Sequence, residues 1–146
     1  MMNLDMIMST DLKTVSPNDT LASVRTLMHD NRIHHVPVLN DEEELVGLVT
    51  LTDVLAATDS VLRDDESRMH ARDIKVQDFM VEDLATIDEH ASLRQAAMFL
   101  EKHGIGCLPV VTDGNLRGIV TDTDFVGVAI NLLEQIEESE PVEETL

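Results

Sequence analysis

The sequence predicts an α+β fold in which one small unit is built twice. Three observations carry this. The stretch Gly47 to Asp53, Gly-Leu-Val-Thr-Leu-Thr-Asp, returns as Gly118 to Asp124, Gly-Ile-Val-Thr-Asp-Thr-Asp. Adding 72 to a first-half position finds its counterpart: Met8 with Met80, Asp11-Leu12 with Asp83-Leu84, Thr14-Val15 with Thr86-Ile87, Val36-Pro37-Val38 with Leu108-Pro109-Val110. The first hairpin turn is one residue longer, so the offset then becomes 71 and matches Thr50 with Thr121 and Asp53 with Asp124. Finally, the apolar period alternates between helical and strand spacing inside each copy.

The elements follow in order. Met1 to Met8 is apolar around Asp5 and suits a short helical turn. Thr14-Val15 is a brief extended piece, ended by the turn cluster Ser16-Pro17-Asn18-Asp19. Thr20 is placed as an N-cap, and Leu21, Val24, Leu27 and Met28 give a helix one apolar stripe, failing near Asp30-Asn31. Ile33 to Leu39 reads as a strand whose Pro37 points to an edge. Asn40 to Glu44 turns the chain, Leu45 to Leu51 returns it, and a helix starts at Thr52 or Asp53. In the second copy Ser92 caps a helix striped by Leu93, Ala96, Ala97, Phe99 and Leu100, and Gly104 is placed as its left-handed stop. Asp113-Gly114 marks the hairpin turn. The last helix runs from about Asp124 to Ile136. The expected division is residues 1–70, residues 71–136, and an acidic, mobile tail over residues 137–146.

The totals narrow the function. The chain has 146 residues, 43% apolar and 27% charged, with no Trp or Tyr and eight Met, so the core is aliphatic. Its formal charge of −19 repels nucleic acid and anionic membrane. Cys107 is the sole cysteine, which excludes an internal disulfide and a cysteine-based zinc site. No apolar run reaches membrane-spanning length, Met1 to Met8 lacks a basic leader, and a cytoplasmic setting is the default. The six histidines form no metalloprotease pattern, and no nucleophile elbow or phosphate-binding glycine loop is present, so neither a catalytic residue nor a metal is expected.

What remains is the doubled Thr-x-Thr-Asp. Each copy sets two threonines and a carboxylate where a strand hands over to a helix, and free backbone N–H groups there can receive a polar ligand. The alternatives are local. A carboxylate favours a helix N-terminus, and threonine suits strands and caps, with Thr52 and Thr123 as the hydroxyls where capping would compete with a ligand.

The doubled unit, the strand Ile33-His34-His35-Val36-Pro37-Val38 echoed by Ile105-Gly106-Cys107-Leu108-Pro109-Val110, and the doubled Gly-x-Val-Thr-x-Thr-Asp together resemble a CBS domain pair, or Bateman module, over roughly residues 6–136. The resemblance implies two tandem repeats of β-α-β-β-α type, each a three-stranded sheet with two helices, packed sheet to sheet with pseudo-two-fold symmetry around two clefts. It implies a homodimer formed through the helices and a regulatory role toward a protein partner. The ligand would be an adenosine compound, AMP, ADP, ATP or S-adenosylmethionine, with no cofactor required.

By the same resemblance, Asp53 and Asp124 would accept from the ribose hydroxyls. Thr50, Thr52, Thr121 and Thr123 would hold ribose or phosphate. Lys13, Thr14, Ala85 and Thr86 lie on the extended pieces beside the adenine, with Leu48 and Ile119 as its apolar walls. His34 would face phosphate, with Lys13 or Arg32 as helpers, in a cleft bordered by Asp53; its counterpart is Gly106, so the clefts are chemically unequal. The plainer reading of His34-His35 is a strand pair with one ring exposed and one buried. Asp122 replaces Leu51 and sets a carboxylate near the second cleft, which then suits adenosine or S-adenosylmethionine, needs Mg²⁺, or stays empty. The competing reading is a scaffold that dimerises without ligand.

Overall fold

The structure is a computed structural model that describes residues 3–63 and 70–140. After a 3₁₀ turn at Leu4–Met6 come α1 (Leu21–Asn31), β1 (His35–Leu39), β2 (Leu45–Thr50) and α2 (Leu51–Arg63). A second 3₁₀ turn, Val76–Asp78, opens the second copy of α3 (Leu93–His103), β3 (Cys107–Thr112), β4 (Asn115–Thr121) and α4 (Asp122–Ser139).

Local chemistry sets the helix ends. Thr20 is extended and its Oγ1 accepts from the Ser23 N–H at 3.1 Å, starting α1. Ser92 and Gln95 cap α3 reciprocally. Gly104 ends α3 at φ 60°, as its placement predicts. The matching stop of α1 is Arg32, a side-chain-bearing residue at φ 53°, ψ 45°. Leu51 leaves the strand expected for it because its N–H bonds the His34 carbonyl at 2.8 Å, which bends the chain into α2 one residue before Thr52. The last helix runs past Ile136 to Ser139, so the first part of the expected tail is helical; residues 141–146 lie outside the described residues.

β1 pairs antiparallel with β2, and β3 with β4. The third strand of each sheet shrinks to a single parallel bridge, Val15 to Val38 and Ile87 to Val110. Pro37 sits where this bridging is thinnest: its carbonyl accepts from Val15 N–H at 3.1 Å, and that edge asks nothing of the N–H it lacks.

On the other side each sheet is completed by the opposite repeat. Ser9 bridges Ile119 of β4, and Val81 bridges Leu48 of β2. The exchange extends to the cores. Leu4 is fully buried with Leu100, Leu108, Val110 and Val120 of the second copy, and Val76 is fully buried with Val24, Val36, Val38 and Val49 of the first. In space, each copy's leading segment therefore packs on the other copy. The glycines of the doubled motif make room for the crossing. A Cβ on Gly47 would lie 2.5 Å from Met80 Sδ, and one on Gly118 would lie 2.8 Å from both Met8 Sδ and the Ser9 carbonyl oxygen. A third buried cluster, Leu48, Cys107 and Ile119 with Leu12 and Leu84 against it, forms the seam between the sheets.

Candidate functional site

Two clefts flank this seam. Cleft 1, about 260 Å³, is walled by Asp11, Leu12 and Lys13 of the leading segment, by Arg32, His34 and His35 at the α1–β1 corner, and by Ile119, Thr121 and Thr123 of the second copy. Cleft 2, about 550 Å³, is walled by the counterparts Asp83, Leu84 and Ala85, by Ile105, Gly106 and Cys107, and by Leu48 and Thr50 of the first copy. Because the leading segments cross, His34 faces Thr121 and Thr123, not the Thr50–Asp53 junction beside which it was expected. That pairing is corrected by the Ser9–Ile119 bridge, which carries residues 9–13 onto the second copy.

The structure gathers most of the anticipated side chains. Lys13, His34, Ile119, Thr121 and Thr123 line cleft 1; Leu48, Thr50 and Ala85 line cleft 2. Thr14, Thr86 and Thr52 are exposed and line neither cleft, and the half-buried Asp53 and Asp124 are absent from both linings as well. Helix capping falls to Thr50 and Thr121, because the helices begin one residue after these threonines. Asp53 Oδ2 accepts from Thr50 N–H at 3.0 Å and Thr50 Oγ1–H at 2.8 Å, while Asp53 N–H returns a bond to Thr50 Oγ1 at 3.2 Å. Asp124 Oδ2 likewise accepts from Thr121 N–H at 2.8 Å, and its own N–H donates to Thr121 Oγ1 at 3.3 Å. Both carboxylates are half-buried behind a cleft-lining threonine, and Oδ1 of each takes no hydrogen bond among the described residues. The capping role and a further acceptor are thus present in one group.

The clefts differ in charge. The positions of Lys13, Arg32 and His34 in cleft 1 are Ala85, Gly104 and Gly106 on the other side. Both clefts keep an aspartate, Asp11 or Asp83, but among the described residues no lysine or arginine lines cleft 2, where His103 stands at the position of Asn31. Asp122 stands directly over Gly106: its N–H bonds the Gly106 carbonyl at 3.1 Å, and a Cβ there would lie 3.3 Å from its Oδ2. It is exposed and faces the groove between α3 and α4, outside the lining of cleft 2.

His35 and Cys107 occupy matching positions at the seam. His34 is exposed in the bend that precedes β1, and His35, the first residue of β1, is half-buried, so the two are not a pair within one strand. His35 lines both clefts, a role its sequence position did not suggest. Burial holds its imidazole below the ordinary value, the neighbouring His34 adds to this, and Asp122 opposes it. Burial, with Asp122 and Asp124 nearby, pushes the Cys107 thiol up to about 12, so it stays protonated and unreactive at neutral pH. Among the described residues no three His, Cys, Asp or Glu side chains gather as a metal site.

The sequence pattern of the CBS domain family matches residues 4–60 and again residues 76–131. The chain belongs to the CBS domain family. A CBS domain-containing protein of Dictyostelium discoideum is 31% identical over 134 residues, which cover 89% of this chain and 92% of that one. A Vibrio cholerae protein assigned to acetoin utilization (AcuB) has a solved structure with a TM-score of 0.78 at 38% identity, covering 97% of this chain and 99% of that one. The solved structure of CBSX2 in complex with AMP gives a TM-score of 0.75 at 27% identity, over 90% of this chain and 98% of that one. Some curated relatives are much longer. Homoserine O-acetyltransferase of Methanobrevibacter ruminantium is 32% identical over 130 residues, and the chain spans 24% of its length. The CBS pair here is therefore comparable to a small part of such enzymes.

Proposed function

We propose that this CBS pair is a regulatory module that binds an adenosine ligand between its repeats, with no catalytic role. Cleft 1 takes a phosphate-bearing nucleotide and cleft 2 an unphosphorylated adenosine compound. The observation that carries this is the replacement of Lys13, Arg32 and His34 by Ala85, Gly104 and Gly106, which leaves His35 and His103 as the basic side chains among the described residues lining cleft 2. In a chain of charge −19, a phosphate is held only where local cations outweigh the field. The AMP complex of CBSX2 supports the ligand class. Within cleft 1 the base lies between Ile119 and the backbone beside Lys13, and the ribose reaches the Thr121–Asp124 junction.

The module signals as a homodimer to a protein partner in the cytoplasm. Val126, Ile130, Leu133 and Ile136 recur along α4 at helical spacing and are each about half exposed or more (57%, 51%, 56% and 51%), a face suited to a second copy. Among the described residues no helix is long and apolar enough to cross a membrane. Ligand biases the dimer only through different affinities for its geometries.

Calorimetric titration with AMP, ADP, ATP and S-adenosylmethionine tests the reading. Saturable heat with at least one nucleotide, lost in Lys13→Ala/His34→Ala, is expected. Flat titrations for all four with folded protein would leave the second reading, a ligand-free dimerisation scaffold. That reading is favoured by the carboxylates of Asp53 and Asp124 already being engaged in capping.

A further inference from the structure

Cleft 1 does not end at His34. Arg32, Ile33 and His34 also line a second cavity of about 350 Å³, a groove between α1 and α2 that contains Arg25 and His29 above a floor that includes Met28 and Val54. The two cavities therefore share Arg32, Ile33 and His34 as a common wall. Every lysine, arginine and histidine of residues 3–62 lines one or both of them. Of the acids in the same stretch, only Asp11 does so.

This concentration is not a consequence of the fold. The matching groove of the second copy keeps the apolar floor, Leu100, Ile105 and Phe125, but sets Ala97 and Glu101 where Arg25 and His29 stand, and Asp122 where Leu51 stands. Nor does the helix macrodipole explain it. Cations at the end of α1 are favoured there, which accounts for His29 and Arg32 but not for Arg25 in the middle of the helix, nor for Lys13 and His34 off it. Lys13, Arg25 and Arg32 have no acidic partner among the described residues, and His29 has only the exposed Asp30 at 3.4 Å. Like charges gathered without partners repel one another until an anion joins them.

Arg25 and His29 are four residues apart, so they share one face of α1 about 6 Å apart along its axis, and Arg32 stands just past the end of that helix in the left-handed conformation. From these observations we infer that the cleft 1 ligand carries a chain of phosphates. The chain leaves the cleft past Lys13, Arg32 and His34, and its terminal phosphate meets Arg25 and His29 in the α1–α2 groove. The ligand is then a nucleoside di- or triphosphate in preference to a monophosphate. This rests on the nucleotide-binding reading of cleft 1 and assigns that site a terminal-phosphate subsite.

Calorimetry on the full chain with AMP, ADP and ATP, at one ionic strength and without divalent cation, tests it. Affinity is expected to rise along that series, ATP binding at least about tenfold tighter than AMP, since each charge-assisted phosphate contact strengthens binding. Arg25→Gln/His29→Gln should lower the ATP-to-AMP affinity ratio to below about threefold, and Arg25→Gln alone should give part of that fall. Glu101→Gln, the change at the mirror-image position, should leave the ratio as in the parent. Both Arg25 and His29 are exposed, so the variants fold, which a thermal melt verifies. AMP binding with a ratio near one in the parent, or a ratio that survives the double change, overturns the subsite alone. Absence of binding by all three nucleotides overturns the subsite and the reading beneath it together.

Discussion

Arg32 combines two opposing demands, and replacing it separates them. It ends α1 at φ 53°, ψ 45°, whereas its counterpart Gly104 ends α3 at φ 60°, ψ 34°. The left-handed conformation costs an L-residue roughly 1–2 kcal/mol, and glycine avoids this while giving back some chain entropy. Arg32→Gly should therefore stabilise the fold by about 0.5–1 kcal/mol, and at this chain length raise the Tm by about 2–4 °C. Arg32 also lines cleft 1, so the same change should weaken AMP binding about tenfold, the loss of one charge-assisted contact. Differential scanning calorimetry and titration calorimetry on one preparation read the two effects. A lower Tm would show that the arginine side chain holds the helix end, and unchanged AMP affinity would show that it does not meet the phosphate.

Gly118→Ala should destabilise by about 1–3 kcal/mol, and more than Gly47→Ala, because the added methyl meets the Ser9 carbonyl as well as a movable methionine; chemical denaturation compares them. The depressed His35 value means that the unfolded chain takes up a proton more readily than the folded one as pH falls through 6.5, so this residue's contribution to stability is present above that pH and is lost on acidification. His35→Asn should accordingly flatten the fall in unfolding free energy between about pH 7.5 and 5.5, and an unchanged slope would remove His35 as its source. Ile130→Glu/Leu133→Glu on the exposed face of α4 should convert a dimer to monomer in sedimentation velocity while leaving the circular dichroism spectrum intact; a dimer that persists would move the interface elsewhere.

Much of this architecture is written locally in the chain. Thr20, Ser92 and Gly104 sit at the helix ends they were expected to make, because a cap depends on three or four residues and the backbone they satisfy. The duplication was legible because an offset is a property of sequence alone. Crossing of the leading segments was not. Met8 against Gly118 and Met80 against Gly47 are contacts between residues more than thirty positions apart, and either pairing of segment with sheet keeps the same periodicity. For that reason the sequence alone sets His34 beside Asp53, whereas in the fold it shares cleft 1 with Thr121 and Thr123. The capping threonines were displaced by two residues for a related reason: strand and helix propensities both tolerate Leu51, and the His34 carbonyl decides its conformation. The basic lining of the α1–α2 groove could have been found by aligning the two copies and asking where charge appears on one side only.

A structure of the protein crystallised with AMP tests the central claim most directly, since it asks where the phosphate lies. The nucleotide is expected in cleft 1, its base against Ile119 and its phosphate among Lys13, Arg32 and His34, with no phosphate in cleft 2. A phosphate resting between Asp83 and Gly106 in cleft 2, with cleft 1 unoccupied, would contradict it.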